Sequence, residues 1–416
     1  MRLPLEGVRV VDLSHWWAGP FATMELAGMG AEVIKIEAIQ RVDGYRGGHS
    51  ATGERAWEKA PTFLSFNLGK QDITLDLSRP TGLELLRSLI RIADVVIDNY
   101  AARVMENFGL TYEAVRRENP AIIMVSMPGF GNSGPWRDYT GFAFNLEQLS
   151  GIAHHTGFPD SPPYNIGAGA DPIMGMWGAY AVMTALEHRR RTGAGQRVDL
   201  AHLEALTSFL GGQVLDYQLN GRITTRTGNA DPAASPHNFY PCKPALSGVE
   251  GGNDQWVGIA VYGDGDWRKL RRAMGEPSWA ADERFADEMG RWRHQEEIDG
   301  RIAEWTRGHD KREAMQRLQE AGLTAGAALD ARDLLDDAQV KGRDFFQRIE
   351  RGHVGSLPYP RLPFRIDGKP VDWQAPAPTL GQHNELVLGE LLALSKVDLG
   401  RLEGDRVIGR EPLIRK

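Results

Sequence analysis

The sequence predicts an α/β protein in which a Rossmann-like, doubly wound parallel sheet forms a large domain beside a smaller α+β domain. Short β-rich runs alternate with helical segments between residues 7 and 127. These runs are short and rich in apolar and β-branched residues. The chain of 416 residues is also long enough for more than one domain.

The elements follow one another as βαβ units. Residues 7–13 ("GVRVVDL") and 31–37 ("AEVIKIE") are β-rich and flank a segment of helical spacing at 21–30, which is the size of one unit with a right-handed crossover. The alternation then continues with strand 72–77, helix 81–93, strand 94–98, a helix near 112–118 and strand 121–127.

Later segments differ in character. A long helix is predicted from Pro172 to about Arg191, residues 220–238 are polar and loop-like, and the proline-rich segment 359–384 is expected to run extended over a surface. These features predict a large domain at 1–205 and 335–416, a linker at 206–236 and a small α+β domain at 237–334.

The composition argues against several classes of protein. With 48 basic and 55 acidic residues the formal charge is −7, which gives no reason to expect nucleic-acid binding. Cys242 is the one cysteine, so no internal disulfide can form, and a cytoplasmic location is expected. No run of 18 apolar residues predicts a membrane span, and the N-terminus lacks the apolar core of a secretory signal.

Two kinds of cofactor site are also disfavoured. A dinucleotide loop needs the spacing G-x-G-x-x-G, whereas here Gly19 is followed by no glycine before Gly28. His154 and His155 are adjacent and lack a suitably spaced His or Cys partner, so no metal site is predicted. We therefore expect no tightly bound cofactor.

Asp171 directly precedes Pro172 in the stretch "ADPIMGMWGAY" (170–180). An aspartate at the N-cap followed by proline is a preferred helix start. Apolar neighbours such as Met174 and Trp177 would also leave the carboxylate poorly hydrated, while the helix N-terminus favours its charged form. A carboxylate in that state can attack an acyl carbonyl, so a capping role and a nucleophilic role are both open.

Several basic residues fall near predicted strand ends or loops on one edge of the sheet. Each alone is an ordinary surface charge, but together they could hold a phosphorylated ligand. The candidates are Lys35, Arg41, Lys70, Arg103 and Arg137.

Further motifs occur in order over essentially the whole chain. They include "GVRVVDLSHWWAGPFATMELAGMGAEVIKIE", "FNLGKQDITLDL", "DVVIDNYAARVMENFGL", "VSMPGFGNSGPW", "GADPIMGMWGAYAVMTALEHRRRTGAGQRVDL" and "APAPTLGQHNELVL". Together these motifs resemble the family III CoA-transferases, the group of formyl-CoA and carnitine CoA-transferases, and within it the benzylsuccinate-type subgroup. The resemblance implies an interlocked homodimer, or a heteromer with a paralogous subunit.

The resemblance also implies a mechanism. The family's aspartate attacks an acyl-CoA thioester to give a mixed anhydride and CoA thiolate, and the thiolate then forms an aspartyl thioester. A free carboxylic acid enters next and leaves as the new acyl-CoA. Asp171 matches this nucleophile, and CoA and acyl-CoA are implied as substrates rather than as bound cofactors.

Residues for CoA and substrate binding carry over from the family in part. The loop after the first strand, the lysine of an N-x-x-K motif and an Asn-Tyr pair match family positions. Arg41 and Arg103 would replace basic residues that the family carries where this chain has Ala38 and Asn107. The implied set, with Arg137 from the anion site, is His15, Trp16, Trp17, Ala18, Arg41, Lys70, Asn99, Tyr100, Arg103 and Arg137.

Departures from the family bear on the acyl group. Formyl-CoA:oxalate enzymes carry a glutamine where this chain has Trp17 and a Tyr-Glu pair near Ala143–Phe144. Apolar groups there would leave the charges of a small dicarboxylate unpaired, which is costly in a closed site. Phe142 and Phe144 are therefore predicted to line a pocket for a bulkier, partly apolar acid such as an arylsuccinate.

Two alternatives stay open. The α-methylacyl-CoA racemases share the resemblance and use a histidine with the same aspartate, but Phe142 stands at that histidine's position and cannot carry a proton. The other alternative is a non-catalytic CoA-binding subunit of a heteromeric transferase. Asp171 argues against it, since such a subunit would need no carboxylate there beyond capping.

Overall fold

The chain divides into two units in a computed structural model that describes residues 2–47, 53–167, 169–245 and 252–413. The predicted boundaries at 205, 236 and 334 differ from the bounds of these units, and part of the predicted linker forms a helix at Gly211–Asn220. The large unit comprises Met1–Ala153, Asn165–Ile223 and Lys341–Lys416, and the small unit comprises His154–Tyr164 and Thr224–Val340.

A six-stranded sheet organises the large unit. Its strands are β1 (Arg9–Asp12), β2 (Glu32–Glu37), β3 (Gln71–Thr74), β4 (Val95–Asp98), β5 (Ile123–Ser126) and β6 (Arg197–Asp199). They pair in the order β3-β2-β1-β4-β5-β6, and every pair is parallel. This is the strand order of a Rossmann fold, so the predicted α/β class with a parallel sheet is confirmed.

Two apolar cores cover the two faces of this sheet. Because side chains alternate along a strand, Val11 and Ile34 enter one core while Val10 and Val33 enter the other. All four side chains are almost completely buried. Burial on both faces explains why the central strands are rich in Val and Ile.

Helices connect the strands of the large unit and continue after the sixth strand. Within the described residues, no helix is long and apolar enough to cross a membrane. Those up to the sixth strand are α1 (Ala18–Gly28), α2 (Pro61–Phe66), α3 (Pro80–Arg91), α4 (Arg103–Asn107), α5 (Tyr112–Glu118), α6 (Ala143–Leu149), α7 (Ile152–His155) and α8 (Ala170–Thr192). Two more follow it, α9 (His202–Thr207) and α10 (Gly211–Asn220).

The small unit is built on an antiparallel sheet with a helical layer. Its strands are β7 (His237–Pro241), β8 (Trp256–Ala260) and β9 (Thr324–Ala327), in that order. Its helices are α11 (Gly263–Ala273), α12 (Glu288–Arg293), α13 (Gln295–Thr306), α14 (Lys311–Glu320), α15 (Ala331–Asp336) and α16 (Ala338–Gly342). Trp267 and Phe285 lie in its core, and the arrangement is of the predicted α+β type.

The proline-rich segment 359–384 packs against the rest of the large unit with one set of its side chains and leaves many others exposed. Tyr359, Leu362 and Trp373 are at most 5% exposed and pack with Phe63 of α2. Exposed residues such as Pro360, Pro363 and Asp372 lie between them, so the extended backbone buries one set of side chains and leaves another in water. Strands β10 (Phe346–Arg351), β11 (Gly355–Pro360), β12 (Arg365–Ile366) and β13 (Lys369–Pro370) precede helix α17 (Lys396–Gly404) and a π-helical segment at Glu385–Leu391.

Candidate active site

The loops that follow β1 and β4 meet at the carboxyl edge of the sheet, where the strand order changes direction and open α/β folds bind ligands. The Asn99 side chain joins them. Its Oδ1 accepts a hydrogen bond from the His15 amide at 2.9 Å, and its Nδ2 donates to the His15 carbonyl at 2.7 Å. The His15 ring lies 6.0 Å from that of Tyr100. Asn99 therefore fixes the backbone of the loop after β1.

Buried charges support the same loop from the side of the sheet. The Lys35 ammonium donates to the Ser14 carbonyl at 2.8 Å and to Asp43 at 2.9 Å. Asp43 in turn accepts from the Trp16 amide at 3.2 Å, and Asp12 accepts from the Ser14 amide at 2.9 Å. Removing one member would leave a buried charge unpaired, so the loop is held by groups that must stay together.

Lys70, which the sequence places among the CoA-binding residues, belongs to this buried network. It is 1% exposed, and its ammonium donates to Asp12 at 3.1 Å, to the Pro20 carbonyl at 2.9 Å and to Asn67 at 2.9 Å. Burial lowers the pKa of Lys70 to about 8, against the opposing effect of the Asp12 carboxylate. In this position Lys70 supports the loop and uses its three donors within the protein.

Trp16 forms an exposed aromatic wall above the loop. Its ring meets Tyr45 edge to face at 5.6 Å and Phe142 at 6.2 Å, and the residue remains 44% exposed. The ring lies so close to Gly44 that a Cβ there would overlap it. Trp16 also has φ of 67°, a left-handed conformation that is uncommon for a bulky residue and typical of functional sites.

Trp17 and Ala18 continue from this wall into the first helix. The Trp17 ring stacks on Phe66 at 4.8 Å, and its buried indole N–H has no acceptor among the described residues. Ala18 is the first residue of α1 and is buried. An unpaired buried donor is unusual in a folded protein.

Asp171 lies in the first turn of α8 but is not its N-cap, so the predicted capping role was wrong. The helix begins at Ala170, Gly169 is the N-cap, and no side chain caps it. Pro172 is the third helical residue. An N–H at this position would have no acceptor within the helix, so the helix loses no hydrogen bond to proline here. The Asp171 side chain therefore does not cap the helix.

Close packing of α8 against α1 brings Asp171 to the loop after β1. A Cβ at Gly175 would lie 2.8 Å from the Ala18 carbonyl, so only glycine permits this approach. Asp171 also lies near Tyr45, since burial and then the Asp171 carboxylate raise the pKa of Tyr45 to about 12. The nucleophile candidate and the aromatic wall therefore belong to one site.

The carboxylate of Asp171 is partly buried and has no Lys or Arg partner among the described residues. Burial and then the nearby Glu147 raise its pKa to about 6. Within 4.0 Å its one described ion-pair candidate is His202, whose Nδ1 lies 3.9 Å from Oδ1. A carboxylate in this condition is more basic than usual and is therefore a better nucleophile.

His202 is itself neutral. Burial lowers its pKa to about 4, and its Nε2 lies 3.0 Å from the Ala170 carbonyl. Because a carbonyl can only accept, Nε2 carries the proton and Nδ1 turns an unprotonated lone pair toward Asp171. His202 in this tautomer therefore donates no hydrogen bond to the carboxylate.

The remaining predicted residues lie at the margin. Arg41 is exposed, Arg103 donates to the Asp138 carbonyl at 2.9 Å, and Arg137 pairs with Glu106 at 2.9 Å. Phe144 is 70% exposed and forms no ring contact within the described part of the chain. The structure thus gathers one set of the predicted residues around a single sheet edge: His15, Trp16, Trp17, Ala18, Asn99, Tyr100, Phe142 and Asp171.

Three residues of this site were missed from the sequence. Tyr45 lies in an irregular loop, Glu147 in a short helix and His202 at the start of α9. None of them belongs to a spacing motif that signals chemistry, and they converge on Asp171 through the packing of separate elements. Proximity of this kind is decided by tertiary structure, so no local signal was available.

An unpaired carboxylate beside an aromatic wall, on a loop at the edge of a Rossmann-like sheet, agrees with the motifs noted in the sequence. The sequence model of CoA-transferase family III matches residues 5–384. The chain belongs to CoA-transferase family III.

Members of this family resemble the chain over nearly its full length. The succinyl-CoA–D-citramalate CoA-transferase of Chloroflexus aurantiacus is 36% identical, covering 97% of this chain and 98% of that protein. The succinate–glutarate CoA-transferase of Agrobacterium fabrum is 34% identical, covering 94% and 97%. A crystal structure of a CAIB/BAIF family protein from Brucella suis is 31% identical with a TM-score of 0.84, covering 94% of this chain and 100% of that one. The protein is therefore a CoA-transferase that uses CoA thioesters as substrates.

Proposed function

We propose that this CoA-transferase works through a covalent intermediate on Asp171. The carboxylate attacks the thioester carbon, the C–S bond breaks, and CoA leaves as a thiolate. The thiolate attacks the aspartyl carbonyl of the anhydride and releases the first acid, which leaves an aspartyl thioester. The acceptor carboxylate then attacks the aspartyl thioester, which forms a second mixed anhydride and releases the CoA thiolate. The thiolate attacks the acceptor's acyl carbonyl in this anhydride, which gives the new acyl-CoA and frees the Asp171 carboxylate.

One observation carries this proposal. Asp171 combines partial burial, a pKa raised to about 6 and the lack of a Lys or Arg partner among the described residues, at the start of a long helix. Burial makes the carboxylate reactive, and the helix N-terminus supplies partial positive charge for the oxyanions that form during attack. A residue that served packing alone would gain nothing from this environment.

The large unit is the proposed CoA-binding domain, with distinct roles for its residues. His15, Trp16 and Ala18 of the loop after β1 would contact CoA. Asn99 and Tyr100 would hold that loop in place. Arg41, Arg103 and Arg137 would attract the CoA phosphates at the margin. Lys70 would act through the buried network rather than by direct contact.

The acyl group lies against the aromatic wall in this proposal. Trp16, Tyr45 and Phe142 present ring surface beside Asp171, and Phe144 would extend that surface. Ring surface favours an acceptor with a bulky, partly apolar group, such as an arylsuccinate. Succinyl-CoA is the proposed donor, because a similar transferase is named for it.

A steady-state assay tests the substrate assignment. With succinyl-CoA as donor, benzylsuccinate, glutarate, D-citramalate and oxalate are compared as acceptors by kcat/KM. The proposal expects benzylsuccinate to lead by at least about tenfold, the value of one good apolar contact. A higher value for glutarate or D-citramalate would contradict the bulky acceptor and leave CoA transfer intact. Transfer to none of them would contradict the donor.

His202 does not restore the racemase alternative. Its imidazole is buried, and the pKa of about 4 is too low for efficient proton exchange at neutral pH. Incubation of an acyl-CoA with the enzyme in deuterium oxide provides the check. The proposal expects no deuterium at the α-carbon.

A second copy of the chain is the proposed partner, in the interlocked arrangement that the family resemblance implies. Helices α8 and α10 expose a series of large apolar side chains that a lone chain would leave in water: Met176, Trp177, Tyr180, Val214, Leu215, Tyr217 and Leu219. Exposed apolar surface of this extent marks an interaction site. A paralogous chain in place of the second copy is the competing arrangement.

A further inference from the structure

Glu147 is a buried carboxylate that the mechanism above does not use. It lies on α6, has no exposed surface, and its Oε2 accepts a hydrogen bond from the Ile166 amide at 2.9 Å. The other oxygen, Oε1, is buried without a partner among the described residues. A buried carboxylate with one unsatisfied oxygen is costly, and its retention calls for a reason.

Two structural connections link Glu147 to Asp171: a hydrogen bond to the segment before α8, and the packing of α6 against the start of α8. Ile166, which it holds, lies shortly before Asp171 in the chain. On the same side Leu146 packs with Ala170 and Leu206 in a small apolar cluster, so α6 is seated against the start of α8. A shift of Glu147 would therefore move both the lead-in segment and the charge beside Asp171.

We propose that Glu147 is a positioning residue for the acyl transfer at Asp171, which ties down the segment leading into α8 and keeps a second negative charge beside the nucleophile. The inference rests on the proposed role of Asp171. A neighbouring negative charge disfavours the ionised carboxylate and so makes it more basic. Greater basicity increases its power as a nucleophile, at the cost of a narrower active range in acid.

Among the described residues, His202 and Tyr45 are the other titratable groups linked to Asp171 by proximity or charge, and both are neutral at pH 7. His202, from α9, has a pKa lowered to about 4 by burial, and Tyr45, from the loop after β2, has a pKa raised to about 12. Burial raises the pKa of Glu147 as well, but the amides of Ile166 and Gly167 stabilise its charged form. Within the described part of the chain, Glu147 is thus the carboxylate whose replacement should lower the pKa of Asp171.

The test compares E147Q and E147A with the matched control E187Q, which removes the same charge from the exposed, distant end of α8. Single-turnover acylation of Asp171 by succinyl-CoA is measured across the acid range. Glutamine keeps an acceptor for the Ile166 amide but no charge. We therefore expect E147Q to move the acid limb to lower pH by about half a unit or more and to slow acylation on the plateau roughly threefold.

E147A should add a loss of position. Without an acceptor for the Ile166 amide, the lead-in segment loosens, so KM rises together with the shift of the limb. E187Q should leave both quantities at their wild-type values. A merely structural role for Glu147 would reduce the amount of folded protein without moving the limb.

An unshifted acid limb in folded E147Q, with wild-type enzyme acylated normally, would overturn this inference and leave the role of Asp171 standing. A wild-type enzyme that is never acylated would instead contradict the proposed function. If E147Q does not fold, Glu147→Asp is the second variant. Its side chain is one methylene shorter, which moves the carboxylate away from Asp171 and should shift the acid limb of the pH profile in the same direction by a smaller amount. An unshifted limb in that variant overturns the proposal equally.

Discussion

Asp171 is the residue at which capping and chemistry make different predictions. Because Gly169 is the N-cap, D171N removes no capping hydrogen bond. We expect its free energy of unfolding to stay within about 0.5 kcal/mol of wild type, while kcat/KM falls at least about a thousandfold. Urea denaturation beside the transfer assay makes the comparison. Retained activity with a loss of stability would return Asp171 to a structural role.

The pKa of Asp171 also predicts how the rate depends on pH. The carboxylate attacks only when it is ionised, and its pKa is raised to about 6. The value of kcat/KM should therefore be low in acid, rise as pH increases through about 6 and level off above it. A profile that is flat through this region, measured with a substrate that does not titrate there, would contradict the assignment.

Among the elements, the loop after β2 sets the position of the aromatic wall. In G44A the new Cβ would overlap the Trp16 ring and displace it. We expect KM for a bulky acceptor to rise about tenfold, the effect of one lost apolar contact. Gly47→Ala is the matched control, since the nearest atom to its Cβ would be 3.8 Å away. Equal effects of the two variants would show that Trp16 is not the wall.

The buried network beneath the first loop predicts a different phenotype. Lys70→Met leaves the Asp12 carboxylate buried without its partner. Such a loss typically destabilises a protein by about 3–5 kcal/mol. Denaturant unfolding should show this loss. Unchanged stability with weakened CoA binding would instead give Lys70 the direct contact that the family resemblance implies.

The elements also show which features a sequence can reveal. Val10, Val11 and their counterparts in the other strands predicted the sheet, because burial on both faces favours β-branched apolar residues. Asp171 was visible because a motif surrounds it. Glu147 and His202 were not, since their roles arise from helices that meet only in the fold. Burial of Trp373 could not be predicted either, because the prolines around it indicate an extended segment without indicating which of its side chains are buried.

At the scale of the whole molecule, the exposed apolar side chains of α8 and α10 predict assembly. Replacing Leu215 and Leu219 together by glutamate places charge where the proposed partner packs. Sedimentation velocity should show a dimer for wild type and a shift toward monomer for the double variant. A wild-type chain that stays monomeric, or that dimerises only with a co-expressed paralogue, would contradict the homodimer.

The central claim is that acyl groups pass through Asp171. The most direct test is the intact mass of the enzyme incubated with succinyl-CoA and trapped with hydroxylamine or borohydride, beside D171A. The account predicts a trapped product that maps to Asp171 and is absent from the variant. Wild-type enzyme that binds and turns over succinyl-CoA without any modification at Asp171 would contradict it.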